Sequence, residues 1–488
     1  MNTAIACGHI KTAEVIETIL QAGGNAFDAA IAGLVAMTIT EPCMSSLAGG
    51  GFAQVQTPDG KIRTLDFFCQ TPMQKSADQV LIPIHVDFGG SVECYYGGHG
   101  ACAVPGTPAL IHTLLTELAT MPLKELLQPA IQLAKNGIEI TPFQYQDLSL
   151  LQQFFLLSPN QSQHLFDSQQ QLKAIGEVVV FEELASTLDF IAEEGVQDFY
   201  VGDIAHEFFK EHQAQGGIQQ VEDWENYSAI WREPLAIPFQ GHTIYTSDLP
   251  SIGGVWMRSF LEQLHESGGT PLSAQHLNQL IQAFENEKPF RQDPKTLEHR
   301  FPELENNIQW QNQVSKGTSH FNILDRWGNA IALTTTIGSG CGMYIGNTGI
   351  YLNNMLGEEG LMPAGITSWV PNSRLHSNTC PTIVQSNGGH KSIILGSGGS
   401  TRIPYMIAQA LFNHLSLRMP LSAAIQAPRV FDDLQSIHVE PGFRTDQPTP
   451  WKEKNLYFGG VHALCNSSEE ISAVGDERRE GYAKVLEI

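Results

Sequence analysis

The chain is predicted to be an α+β protein of stacked helical and sheet layers, and three features of its sequence predict this. Helical patterning fills the first forty residues and most of the stretch from about 107 to 290. Alternating polar and apolar runs occupy 52–68 and dominate from Thr318 onward. Helical blocks flanked by sheet-forming blocks bury their apolar faces as layers sharing one core. The third feature is a Gly-Ser turn, Gly396-Ser397-Gly398-Gly399-Ser400, joining a strand to a helix.

The elements follow in order. Val15, Ile16, Ile19 and Leu20 share one helical face, and Gly23-Gly24-Asn25 ends that helix. A second, more apolar helix runs from about Ala26 to Ile39 and stops at Pro42. Ser45 to Gly51 reads as a flexible loop. Phe52–Gln56 and Lys61–Phe68 flank Pro58-Asp59-Gly60, a hairpin signal. The polar segment 211–220, centred on Gly216-Gly217, reads as a surface loop. A strand over Lys391–Leu395 leads through the Gly-Ser turn into a helix from about Thr401 to Leu415.

Composition excludes some functions. The 488 residues carry a formal net charge of −24, which opposes nucleic-acid binding, since phosphate affinity needs clustered Lys and Arg. The apolar run Ala26–Ile39 contains Asp28 and is too short to span a bilayer. No basic start with an apolar core and cleavage site is visible at the N-terminus. Eight scattered cysteines, without a C-x-x-C pair or zinc spacing, read as free thiols, and the expected location is the cytoplasm.

The chemistry concentrates at Thr318. It opens an alternating run after Gly317, and Asp325 to Asn329 form a turn before the run Ala330–Thr336. A hairpin centred on Trp327 pairs Thr318 with Thr336, bringing their β-carbons within roughly 4.5–5.5 Å. A threonine hydroxyl is a weak nucleophile until a base takes its proton. A free α-amino group on the same residue, with a pKa of about 7.7–8.0, is such a base. Glycine before it lets the backbone bend for attack on its own carbonyl. The hairpin alone favours an ordinary strand threonine, since threonine is common in strands. The Gly-Ser turn at 396–400 aims backbone N–H groups at one point, aided by a helix N-terminus. A phosphate loop lacks its Gly-Lys-Ser/Thr and is disfavoured, leaving a structural turn or an oxyanion hole.

Together these residues resemble the γ-glutamyltranspeptidase family of N-terminal nucleophile hydrolases, over nearly the whole chain. Gly23-Gly24-Asn25-Ala26-Phe27-Asp28-Ala29-Ala30, Gly49-Gly50-Gly51-Phe52, Val104-Pro105-Gly106-Thr107 and Tyr200-Val201-Gly202-Asp203 look like its landmarks. Thr318-Ser319-His320-Phe321 is similar to its processing site. Leu352-Asn353-Asn354, Pro381-Thr382-Ile383, the 396–402 loop and Gly475-Asp476-Glu477-Arg478-Arg479 follow in family order. The resemblance implies a four-layer αββα sandwich. It implies self-cleavage between Gly317 and Thr318 into a large chain, 1–317, and a small chain, 318–488, which stay associated. It implies that Thr318 attacks a small-molecule γ-glutamyl-type amide and passes the acyl group to water or an amine. Thr336 would orient the nucleophile, and the Gly399 and Ser400 N–H groups would form the oxyanion hole. The scheme requires no metal or organic cofactor.

The resemblance weakens at substrate recognition. Family members carry arginine in a D-x-R context to hold the glutamyl carboxylate, and here Phe68 stands in its place after Asp66 and Phe67. Phenylalanine cannot make a bidentate carboxylate contact. Gly338 replaces an asparagine near the second threonine. Ser377 is kept from a serine pair whose other member is Asn378. Glu358, or Glu359 if the loop shifts by one, matches the acid for the substrate amine. Arg374 and Arg402 are the candidates to replace the missing arginine, and Arg374 reads more readily as a structural ion-pair partner. His320 is a weaker candidate base, and Cys341 and Cys380 read as packing thiols. The expected function is therefore a self-processing threonine amidohydrolase or acyltransferase. The alternatives are an amidase for a non-glutamyl acyl group and a non-catalytic binding protein retaining the fold.

Overall fold

Two antiparallel sheets lie face to face, and helices cover both outer faces. The computed structural model describes residues 3–87, 92–264, 269–293, 295–301, 317–358, 365–388, 391–445, 451–467 and 470–488. The seven-stranded sheet runs Tyr482–Leu486, Thr3–Cys7, Thr318–Leu324, Ala330–Thr336, Gly50–Gln56, Ile62–Asp66, Ile230–Arg232. The six-stranded sheet runs Ile471–Val474, Gly460–Asn466, Ser392–Gly398, Thr382–Ser386, His242–Thr246, Leu235–Phe239. Small side chains, including Ala4, Ala6, Ala330 and Ala332, meet Ile383, Ile394 and Leu464 between the sheets. This is the expected four-layer α+β sandwich.

The outer layers follow from periodicity. Helix Ile10–Gln21 buries Val15, Ile16, Ile19 and Leu20, the face the sequence predicts. Helix Ala26–Thr40 is apolar all round and buried all round, because it is enclosed by other elements. Asn25 caps it through Phe27 and Asp28 N–H, while Asp28 reaches back to the Asn25 N–H at 2.8 Å, a reciprocal cap. On the other side, helices Gly253–Gln263, Ala274–Gln292 and Ile403–Leu411 bury Trp256, Phe260, Phe284, Tyr405 and Met406 against the six-stranded sheet. Among the described residues no helix is long and apolar enough to cross a membrane.

The structure corrects several expectations. The Ser45–Gly51 segment is buried throughout, and its last two residues already begin a strand. The stretch 107–290 is not only helical: Leu235–Phe239 and His242–Thr246 form a hairpin at one edge of the six-stranded sheet. Residues 211–220 are not all surface loop, since His212, Ile218 and Gln219 are buried. The strand Thr3–Cys7 was hidden because a fully buried strand next to a helix shows no alternation.

Burial also fixes an acid response. Burial holds His9, His99, His164, His276 and His462 down at about 4, and His212 and His320 at about 3. An unfolded chain protonates its histidines near pH 6.5. Below that pH it binds protons the folded chain refuses, so stability falls as pH drops from 6.5 toward 4. Glu41 and Glu287, raised to about 7 by burial, and Asp147, raised to about 6, oppose this trend, because folding lets them take up protons over the same window. The seven histidines outnumber them. The melting temperature, followed by calorimetry, is expected to fall steadily over pH 6.5 to 4.

Candidate active site

The site begins at the centre of the seven-stranded sheet. The register pairs Thr318 with Thr336, as the hairpin centred on Trp327 predicts. Strand alternation then sorts the side chains. Leu324, Ala330 and Ala332 face the second sheet, and with them, by the two-residue period, Thr318, His320, Asn322, Thr334 and Thr336. Ser319, Phe321 and Ile323 face the helices; Phe321 and Ile323 lie in the helix-side core. Thr318 is 2% exposed and Thr336 is 3% exposed.

Thr336 holds the junction directly. Its hydroxyl donates to the Gly317 carbonyl oxygen and accepts from Gly338 N–H at 3.0 Å. The carbonyl beside Thr318 is therefore polarised by a hydroxyl that has itself been oriented. Gly317 is required here by crowding: a β-carbon would lie 1.9 Å from the Gly338 oxygen and 2.7 Å from the Cys43 oxygen. The expected reason, freedom to bend, gives way to close approach of neighbouring backbone.

The Gly-Ser turn closes over the other side of Thr318. A β-carbon on Gly398 would sit 2.2 Å from the Thr318 oxygen. Gly399 has φ 116° and Ser400 φ 62°, and a 3₁₀ turn, Ser400–Arg402, then opens helix Ile403–Leu411. The first N–H groups of such a helical start have no intrahelical partner and are available to an anion.

Two groups missed by sequence reasoning pin the same residues. Glu41, just past the end of the apolar helix Ala26–Thr40, accepts a hydrogen bond from Ser319 Oγ. Burial raises its carboxyl to about 7, against the lowering effects of the Ser319 hydroxyl and Arg479. Arg479, the last residue of the Gly475–Arg479 motif, donates from Nη1 to the Thr318 oxygen at 2.8 Å. The sequence signal was an acid at the end of an otherwise apolar buried helix; nothing in it pointed to Thr318.

The recognition residues divide. Gly338, at φ 69°, leaves space taken by Asn354 Oδ1 and Glu358 Oε1, which lie 2.2 and 2.3 Å from where its β-carbon would be. Glu358 is thus beside the Thr336–Gly338 turn, whereas Glu359 lies outside the described residues. Ser377 Oγ pairs with Thr379 Oγ1 at 2.9 Å, and the Ser377 carbonyl anchors the turn at Ser251–Ile252. The Asn378 carbonyl packs against Gly253. Phe68 is 1% exposed and stacks on Phe52 with ring centres 5.6 Å apart, within an apolar cluster that includes Met355, Trp369 and Leu375. Arg374 is engaged structurally: Nη1 donates to the Phe68 carbonyl at 3.1 Å, Nη2 to the Ser228 carbonyl, and Nε lies 3.8 Å from Asp66. Arg402 lies over the Tyr457 ring at 4.8 Å. A cavity of about 500 Å³ flanks this region, lined in part by Arg232, Arg374 and His376, but it does not reach Thr318.

His320 is not a base for Thr318. Its ring nitrogens are bonded to Thr334 Oγ1 at 2.8 Å and Asn322 Oδ1 at 2.9 Å, and burial keeps it neutral. Cys341 and Cys380 are buried thiols whose pKa burial pushes up. Among the described residues no cluster of His, Cys, Asp and Glu could hold a metal ion.

The sequence profile described as Gamma-glutamyltranspeptidase matches residues 12–293 and 270–486. The chain belongs to the γ-glutamyltranspeptidase family. Relatives of this family member include the glutathione hydrolase proenzyme of Escherichia coli K12, 28% identical over 88% of this chain and 81% of the relative. The glutathione hydrolase proenzyme of Bacillus subtilis 168 is also 28% identical, over 98% and 90%. An acylase ACY 1 proenzyme from Pseudomonas sp. V22 is 28% identical over 85% and 80%. In fold, this family member is similar to a cephalosporin acylase from Bacillus halodurans, with a TM-score of 0.76, 22% identity, and 99% and 95% of the two chains covered.

Proposed function

We propose that this family member is a self-processing threonine amidohydrolase or acyltransferase that cleaves a γ-glutamyl or similar small-molecule amide. The observation that carries the reading is the Thr336 hydroxyl on the Gly317 carbonyl, next to Thr318 at the end of a paired strand. Thr318 Oγ adds to the Gly317 carbonyl carbon, the Gly317–Thr318 C–N bond breaks, and the hydroxyl proton passes to the departing nitrogen. Water then hydrolyses the resulting ester, leaving a Gly317 carboxylate and a Thr318 with free hydroxyl and amine. In turnover the amine takes the hydroxyl proton and Oγ attacks the substrate amide. The Gly399 and Ser400 N–H groups receive the oxyanion, the substrate amine leaves with the proton, and water or another amine accepts the acyl group.

Sheet topology supports continued association of the two pieces, 1–317 and 318–488. Thr318–Leu324 pairs with Thr3–Cys7 on one side, and Ala330–Thr336 pairs with Gly50–Gln56 on the other. Scission leaves both ladders intact. Mass spectrometry of the purified protein tests the scheme: it expects a fragment beginning at Thr318, and an active chain that is never cut would sink it. The free state of all eight cysteines supports a reducing compartment such as the cytoplasm. Cell fractionation that placed the protein outside the cytoplasm would overturn that.

A second reading keeps the mechanism and changes the acyl group. It is supported by Phe68, a buried apolar ring at the position that the sequence resemblance matches with the family arginine. A panel of γ-glutamyl and short dicarboxylic anilides separates the two, and strong preference for the γ-glutamyl anilide excludes the second. Phe68→Arg is not expected to restore glutamate binding by a simple swap. It places an unpaired charge in an apolar cluster, an event that typically costs about 3–5 kcal/mol. A denaturant titration should show that loss, and an undiminished stability would show that the position opens to the substrate.

A further inference from the structure

Ser400 carries two features that disfavour it at this position. Its φ of 62° lies in the left-handed region, where a β-carbon is crowded and glycine is the unstrained choice. Its residue is 3% exposed, yet its Oγ has no hydrogen-bond partner among the described residues. A buried hydroxyl without a partner has given up water and gained nothing in return. A glycine would remove both penalties while keeping the backbone N–H. The residue also stands on the turn that covers the nucleophile: Gly398, two positions earlier, is in contact with the Thr318 carbonyl, and Ser400 opens the 3₁₀ turn Ser400–Arg402.

We propose that the Ser400 hydroxyl is a third oxyanion donor, added by its side chain to the Gly399 and Ser400 N–H groups. The proposal rests on the functional reading above. The hydroxyl donates its hydrogen to the oxygen of the tetrahedral intermediate formed when Thr318 attacks a substrate amide, and the proton stays on Ser400 throughout. The partner that the buried hydroxyl otherwise lacks is thus the developing charge of the reaction. Scission of the chain does not use it, because the Gly317 carbonyl is already held by Thr336.

The test compares the wild-type chain with Ser400→Ala and Ser400→Gly, using γ-glutamyl-p-nitroanilide and the panel of acyl anilides. Ser400→Ala keeps the β-carbon and removes only the hydroxyl, whereas Ser400→Gly also relieves the backbone. Three quantities are read for each: the extent of scission by mass spectrometry, kcat and KM, and Tm. Both variants are expected to be cut as fully as wild type. Their kcat should fall about 10²-fold, in the range seen when one oxyanion donor is lost, with KM nearly unchanged. Tm should rise in Ser400→Ala, which loses the unpaired hydroxyl, and further in Ser400→Gly, which also relieves the backbone. Unchanged kcat in both variants overturns the proposal. So does a fall in kcat that tracks a fall in scission and Tm, which marks a scaffold residue. A wild-type chain that is cut but turns over no amide overturns the functional reading, and this proposal with it.

Discussion

Thr318→Ala is expected to leave the 488-residue chain uncut and without measurable turnover. Both chemical steps require the same oxygen, so one substitution removes both. In the uncut chain the hydroxyl attacks the neighbouring carbonyl. In the cut chain it attacks the substrate, with the new amine as its base. Removing the nucleophile of an acyl-transfer enzyme lowers kcat by about 10⁶-fold. The fold should survive, because Thr318 lies in a strand whose ladder bonds are backbone bonds on both sides. Gel electrophoresis with mass spectrometry checks scission, and calorimetry checks folding. A folded Thr318→Ala chain that is still cut before residue 318 would place the nucleophile elsewhere.

Thr336→Val is expected to stall scission while preserving shape. Valine fills the same volume, so the change isolates the hydroxyl. That hydroxyl donates to the Gly317 oxygen, the atom on which negative charge develops during attack, and accepts from Gly338 N–H. Loss of one such donor typically slows acyl transfer by about 10²–10³-fold. The expectation is a precursor that persists for long after synthesis and ripens slowly. Its rate can be followed as the appearance of the small chain in purified precursor. Scission at the wild-type rate would show that the hydroxyl only packs.

The local parts of this molecule were readable because they depend on short-range rules. The Thr318–Thr336 pairing follows from one turn and a period of two. The first helix follows from a 3.6-residue stripe ended by Gly23-Gly24-Asn25, and the second from a continuous apolar run stopped at Pro42. The Gly-Ser turn announces a strand-to-helix junction by composition alone. Where the rules failed, partners distant in sequence decided. Glu41 reaches Ser319 and Arg479 reaches Thr318 across 278 and 161 positions, and no spacing rule encodes either contact. Phe68 could have been a pocket wall or core, and only its stacking on Phe52 made it core.

Arg374 shows the same limit. Its charge suggested a carboxylate-binding role, but two backbone carbonyls and Asp66 already engage it. A charged side chain looks equally available in a sequence whether or not the fold has given it partners.

By itself, then, the sequence determined the reactive hairpin and the glycine turn, because each arises from interactions among residues near one another along the chain, and the order of helical and sheet-forming blocks announced the layers. The tertiary structure alone decided how the junction is gripped. It placed the Gly317 carbonyl under Thr336, set Gly398 against Thr318, and crowded Gly317 and Gly338 so closely that no side chain fits. Those arrangements depend on two sheets and a helix end arriving at one point, and burial there sets both the protonation of Glu41 and the neutrality of His320.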